Sequence, residues 1–199
     1  MSNEERNLTD LVLAPYIFRA TALIGKGRRV GGNQFRHCFA TLGILLDYKY
    51  FSNPVLLKAS VIHDLLEEIP STNIDELRAI DRDGNKVVDL VLELTIRKNE
   101  EKATYLKRIL ESGCRNAKIL KVADRISNLT DLNSDSTSGE KITRYLDETE
   151  KYVVPMAREV NHDMVIELTD LISKRRTQIH ADRKYKLLVG KIRALRKLF

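Results

Sequence analysis

Pro54-Val55-Leu56-Leu57-Lys58-Ala59-Ser60-Val61-Ile62-His63-Asp64-Leu65-Leu66-Glu67-Glu68-Ile69-Pro70 carries two messages. From Val55 to Leu66 it is almost continuously apolar, broken only by Lys58, Ser60, His63 and Asp64. The run predicts a helix over 54–68, buried on most of its surface. Its end is anomalous, because His63, Asp64, Glu67 and Glu68 crowd the last turn before Pro70, and no Lys or Arg occurs from Ala59 to Leu77. Carboxylates at a helix C-terminus oppose the macrodipole, and partly buried ones are costly unless paired. A bound cation resolves that conflict.

Outward from this stretch, apolar residues keep recurring at three and four positions, punctuated by only four prolines and nine glycines. The pattern predicts an all-α chain. Helices are expected near 8–24, 34–48, 54–68, 73–80, 86–96, 99–112, 115–132, 138–159, 162–179 and 182–198. Thr72 with Asp75, and Thr137 with Glu140, have capping-box spacing. Gly25-Lys26-Gly27-Arg28-Arg29-Val30-Gly31-Gly32 reads as a basic glycine-rich loop ahead of the second helix.

The 199 residues, 43% hydrophobic and 31% charged, suit one globular unit and exclude a disordered or fibrous chain. The net charge of +6 is uneven: ten basic residues and one acid fall in 171–199, leaving 24 basic and 27 acidic residues in 1–170, a net of −3. Residues 1–170 are therefore read as an acidic body and 171–199 as a basic amphipathic helical extension rather than a separate domain. On the extension Tyr185, Leu188, Ile192, Leu195 and Phe199 share one stripe. Cys38 and Cys114 are too few for a disulfide scaffold. With no signal-like N-terminus and no apolar run of membrane-spanning length, the expectation is a cytoplasmic chain.

His63 and Glu67, like Asp64 and Glu68, stand one helical turn apart, so one layer can hold a metal while the next acts on a substrate. One imidazole and one carboxylate are an incomplete ligand set. His37 and Asp124 are the best further donors; Asp124 shares a polar stripe with Lys121 and Asn128 beside an apolar stripe of Ile119, Val122, Ile126 and Leu129. Two imidazoles and two carboxylates suit Mn or Fe better than Zn or Mg. Taken singly, the same features fit a hydrogen-bonded core histidine, a solvated acidic helix end and a surface Lys121–Asp124 pair. The second His of a zinc-protease helix is missing, the Gly25 loop matches no P-loop or dinucleotide fingerprint, and Asp81-Arg82-Asp83-Gly84-Asn85 reads as a plain turn rather than a calcium loop.

With His37, His63-Asp64 and Asp124 in place, the chain resembles the HD-domain phosphohydrolases. His63-Asp64-Leu65-Leu66-Glu67-Glu68 and Lys121-Val122-Ala123-Asp124-Arg125-Ile126-Ser127-Asn128-Leu129 narrow the likeness to the hydrolase domain of the Rel/Spo family, over residues 10 to 168. The resemblance implies a compact HD-domain bundle, here with an extra basic C-terminal helix. It also implies removal of the 3′-diphosphate of guanosine tetra- or pentaphosphate by a metal-activated water, giving GDP or GTP and pyrophosphate. One Mn ion would be held by His37, His63, Asp64 and Asp124. Glu67 and Glu68 match the family's acid pair, which positions that water and relays its proton. Arg28, Arg29, Asn128, Lys141 and Tyr145 match nucleotide-binding positions, and Lys121 is added as a cation near the phosphates. Three residues depart from the family pattern: Glu68 stands for Asp, Val30 for a basic residue, and Cys38 for the proline after the first His.

Two other readings remain. The same metal site could act on an adenosine alarmone, NADPH or a nucleoside monophosphate; alternatively, the basic extension could bind nucleic acid or an anionic surface.

Overall fold

The structure is a computed structural model that describes residues 3–132 and 139–195. Among these residues there are twelve α-helices, one 3-10 turn and one π-helical turn, and no strand beyond an isolated bridge between Gly27 and Asn33. The all-α expectation is borne out.

The apolar run forms α4 (Pro54–Ile62), in which Leu56 to Ile62 are buried without exception. Such a helix needs neighbours on every side. They are α2 (Ala14–Ala20), α3 (Gln34–Asp47) and α7 (Gly84–Leu94). Asn53 starts α4 by accepting from the Leu56 N–H, and Pro54 fills a first position where its missing N–H costs nothing. Buried Lys58 donates to Asp81 at 2.7 Å and Asp83 at 2.6 Å, and Tyr16 donates to Asp81 at 2.8 Å. The turn after Ile80 thus supplies the counter-charge for a core lysine.

Several joints differ from expectation. The 54–68 helix stops at Ile62 and resumes as α5 (Leu65–Glu68), with His63 and Asp64 in the interruption. The 8–24 helix divides into α1 (Asn3–Thr9), α2 and a 3-10 turn at Thr21–Leu23, Pro15 sitting in the first turn of α2. In α6 (Ile74–Arg78) the cap is Asn73, which accepts from the Asp75 and Glu76 N–H groups; Thr72 instead donates to the Ile69 carbonyl. Thr137 lies outside the described residues. The 138–159 helix becomes α10 (Gly139–Glu148), a π turn at Thr149–Val153 and α11 (Val154–Val160). Pro155 lacks the N–H that a regular helix requires there, and the wider turn absorbs the missing bond. The two last expected helices are one, α12 (His162–Leu195), since no Gly or Pro interrupts the chain from Leu171 to Val189. The expected apolar stripe beyond Tyr185 lies outside the described side chains.

α8 (Lys102–Ser112) and α9 (Arg115–Asp131) follow α7. α9 lies against α3 and is covered by α11 and the first half of α12. From α12, Arg175 is buried and donates to the Leu129 and Thr130 carbonyls, capping the end of α9. Part of the basic extension therefore holds the body together.

Candidate functional site

His37 is placed by the glycine-rich loop. Gly31 and Gly32 have φ of 91° and 70°, the left-handed region that favours glycine, and let the Arg28 N–H reach the Gly32 carbonyl at 3.1 Å. The Gln34 N–H closes the loop on the Lys26 carbonyl, and Asn33 caps α3 by accepting from the Arg36 N–H. One turn into α3, the buried His37 faces α9, with Nδ1 3.0 Å from Ser127 Oγ and Nε2 2.9 Å from Asp124 Oδ1.

His63 and Asp64 fall together in the interruption between α4 and α5. There the His63 Nε2 stands 3.4 Å from Asp64 Oδ1. The same nitrogen is 3.9 Å from Asp124 Oδ1, and Asp64 Oδ2 is 3.8 Å from His37 Nε2. The four residues expected as metal ligands thus come from α3, the α4–α5 break and α9 to one centre. His37, His63 and Asp124 offer ligand atoms within 4.8 Å of one another, and so do Cys38, His63 and Asp64.

The donor set fits a divalent cation on two observations. The Ser60 carbonyl lies 2.7 Å from His63 Nδ1, fixing the ring, while the buried Nε2 has no hydrogen-bond partner among the described residues. That is the orientation of a ligating imidazole, whose far nitrogen binds a carbonyl. Burial opposes a charge on His63, but Asp64 and its other neighbours outweigh burial and hold its pKa well above the usual histidine value. A field that draws a proton onto a buried imidazole is a field that favours a cation. Asp124 is likewise buried against its charge, yet Lys121 and the two imidazoles hold its carboxyl well below the usual range. Lys121 donates to Asp124 at 2.8 Å and lies over the Tyr105 ring, so the pair is part of the site rather than a surface ion pair.

His63, Asp64 and Asp124 line a cleft of about 480 Å³ whose walls carry Arg29, Lys102, Lys121, Lys141 and Arg144, with Asn128 and Tyr145 beside them. Glu67 lines it too, its Oε1 accepting from the Ile96 N–H at 2.7 Å. Lost hydration in the cleft raises the Glu67 carboxyl pKa, against the opposing Ile96 bond. Glu68 instead accepts from Gln34 at 3.1 Å and is not among the cleft residues. Arg28 turns away from the cleft to Asp131 at 2.5 Å and to Asn128 Oδ1 at 2.8 Å, in an adjoining recess of about 340 Å³.

Lys102, Arg144, Tyr105 and Arg125 are cleft residues that sequence reasoning missed. Lys102 and Arg144 stand on helices whose exposed faces look like ordinary solvated surface in sequence. Arg125 carried a weak signal, an arginine directly after a candidate ligand on a largely apolar helix. Cys38 reads in sequence as one of two cysteines outside any disulfide scaffold and as a departure from the family pattern, not as a candidate ligand.

No family model matches the chain. A curated relative, guanosine-3′,5′-bis(diphosphate) 3′-pyrophosphohydrolase MESH1 of Drosophila melanogaster, is 29% identical over 127 residues, covering 60% of this chain and 68% of that protein. A solved structure, described as a metazoan ortholog of SpoT that hydrolyzes ppGpp and plays a role in starvation responses, superposes with a TM-score of 0.71. It covers 88% of this chain and 97% of its own, at 20% identity. The fold is that of the HD domain. The resemblance read from the sequence is borne out, and His63-Asp64 sits in the interruption between α4 and α5. Among the described residues no helix is long and apolar enough to cross a membrane.

Proposed function

We propose that this protein is a metal-dependent pyrophosphohydrolase that removes the 3′-diphosphate of guanosine tetra- or pentaphosphate, giving GDP or GTP and pyrophosphate. The observation that carries the reading is the convergence of His37, His63, Asp64 and Asp124, the last three lining a cleft walled by Arg29, Lys102, Lys121, Lys141 and Arg144 and His37 meeting them from the adjoining recess. Acidic donors for a cation below and fixed cations above match a substrate with a diphosphate at each end. The activity of the curated relative supports the same substrate.

His37, His63, Asp64 and Asp124 would hold one Mn²⁺. When bound, such an ion lowers the pKa of water and polarises a phosphoryl oxygen. Around it the protein's own groups bind, orient and move protons. Glu67, with Oε1 tied to the Ile96 N–H and its pKa raised by lost hydration, keeps Oε2 as the oxygen suited to take a proton. Glu68, held by Gln34, fixes α5 against the start of α3 and so supports Glu67. Asn128 donates to Asp124 Oδ1 and accepts from Arg28, linking the ligand helix to the basic loop. Tyr145, with Lys102 4.7 Å from its ring centroid, offers an aromatic face to the base next to a cation for phosphate.

The test is release of pyrophosphate from guanosine tetraphosphate with Mn²⁺, measured beside NADPH, an adenosine alarmone and nucleoside monophosphates. Turnover of the guanosine compound, lost in folded His63→Ala and Asp64→Ala proteins, is expected. No turnover of it by intact, Mn-loaded protein, with another compound hydrolysed, would move the activity to that substrate.

A further inference from the structure

We propose that Cys38 is a sulfur ligand of the metal centre, so that this centre prefers thiophilic divalent ions more than its histidines and carboxylates alone would. The inference rests on the metal-centre reading above and adds a donor of a different chemical kind.

Cys38 follows His37 in α3 and is wholly buried, with 0% of its surface exposed. Its Sγ, a ring nitrogen of His63 and a carboxylate oxygen of Asp64 lie within 4.8 Å of one another, a span that one ion can bridge. His63 supplies the independent sign of a ligand, since its buried Nε2 has no hydrogen-bond partner among the described residues. His63 also belongs to the group with His37 and Asp124. The two groups therefore share one imidazole, which sets the sulfur next to two of the donors of the metal centre, His63 and Asp64.

On coordination the thiol gives its proton to solvent and the sulfur binds as thiolate; no electron is transferred. Imidazole and carboxylate accept Mn and Fe readily, whereas thiolate favours Zn and Co over Mn. Cys38 thus sets the metal preference of the chain.

Cobalt provides a readout independent of catalysis, because a thiolate bound to Co²⁺ gives a sulfur-to-metal charge-transfer band in the near ultraviolet. The sequence has two cysteines, and the exposed Cys114 is bonded to Glu93, remote in chain and fold from α3. Metal-stripped Cys114→Ser protein, in which Cys38 is the sole thiol, is titrated with Co²⁺. The band should appear in step with uptake of one ion. It should vanish in Cys38→Ser and Cys38→Ala proteins that still bind cobalt and keep their far-ultraviolet dichroism. Zinc affinity relative to manganese should fall in them on the order of tenfold or more, as even outer partners of a ligand matter that much. One cobalt bound by Cys114→Ser without the band would overturn the proposal, as would a band that survives loss of Cys38; the first result needs no Cys38 variant to fold. No cobalt uptake at all would remove the metal centre itself, and the sulfur ligand with it.

Discussion

The guanidinium of Arg125 lies over the ring of Tyr145, with Cζ 4.0 Å from the ring centroid, and its Nη1 donates to Thr149 Oγ1 at 2.7 Å. Arg125 adjoins Asp124 on α9, while Tyr145 and Thr149 flank the junction of α10 with the π turn. A single buried cation therefore fixes the aromatic wall of the cleft to the helix that carries a candidate metal ligand.

Arg125→Ala should lower unfolding stability by about 3 kcal/mol, combining lost charged hydrogen bonds with lost cation–π contact. Urea denaturation measures it through the midpoint at unchanged m-value. Arg125→Lys keeps the charge but not the planar fork, and should fall between the wild type and the alanine variant. An alanine variant as stable as wild type would show that the stacking contributes little.

Metal binding should raise stability without any substrate present. At about a hundred times the dissociation constant, a ligand specific to the folded state adds about 2.7 kcal/mol. The melting temperature should rise on addition of Mn²⁺, fall back with chelator, and be insensitive to both in Asp124→Asn protein. Elemental analysis should find one ion per chain.

The cations of the cleft walls should act mainly on substrate binding. Lys102→Ala and Arg144→Ala should each raise KM for guanosine tetraphosphate about tenfold, the effect of about 1.4 kcal/mol, with kcat largely kept. Added salt should raise the wild-type KM as well, since exposed cations are screened. Variants that lower kcat while leaving KM unchanged would place these residues at the reacting phosphorus rather than on the walls.

Away from the site, Glu100 makes a two-point ion pair with Arg108, at 2.8 and 2.9 Å, and Arg108 also donates to the Glu93 and Thr95 carbonyls. The Arg108 bond holds the Glu100 carboxyl down at about 2 from an ordinary 4.5. A depressed folded-state pKa contributes stability that is present above the unfolded value and is lost as pH falls through the folded one. Stability should therefore decline between pH 4.5 and about 2, and Glu100→Gln should flatten that part of the profile. Denaturant midpoints across this window provide the measurement; an unchanged slope in the variant would assign the decline to other carboxylates.

The sequence by itself determined the helical class and the buried α4, and it marked His37, His63, Asp64 and Asp124 as candidate donors. The class, the buried helix and the pair His63-Asp64 follow from local facts, apolar periodicity and acids left uncompensated at the end of an apolar run; His37 and Asp124 rest on the further resemblance. The tertiary structure decided how those donors meet. Tertiary contacts bring His63 within 3.9 Å of Asp124 on α9 and Asp64 within 3.8 Å of His37 on α3, neither of which helical spacing over 54–68 could show. The roles of Arg28 and Glu68 were equally hidden, because their partners Asp131 and Gln34 lie 103 and 34 residues away. So was the division of the basic extension, where Arg175 caps α9. Spacing along a helix fixes which residues share a face; which two faces meet depends on contacts between distant segments, and those decided that Cys38 lies beside His63 and Asp64.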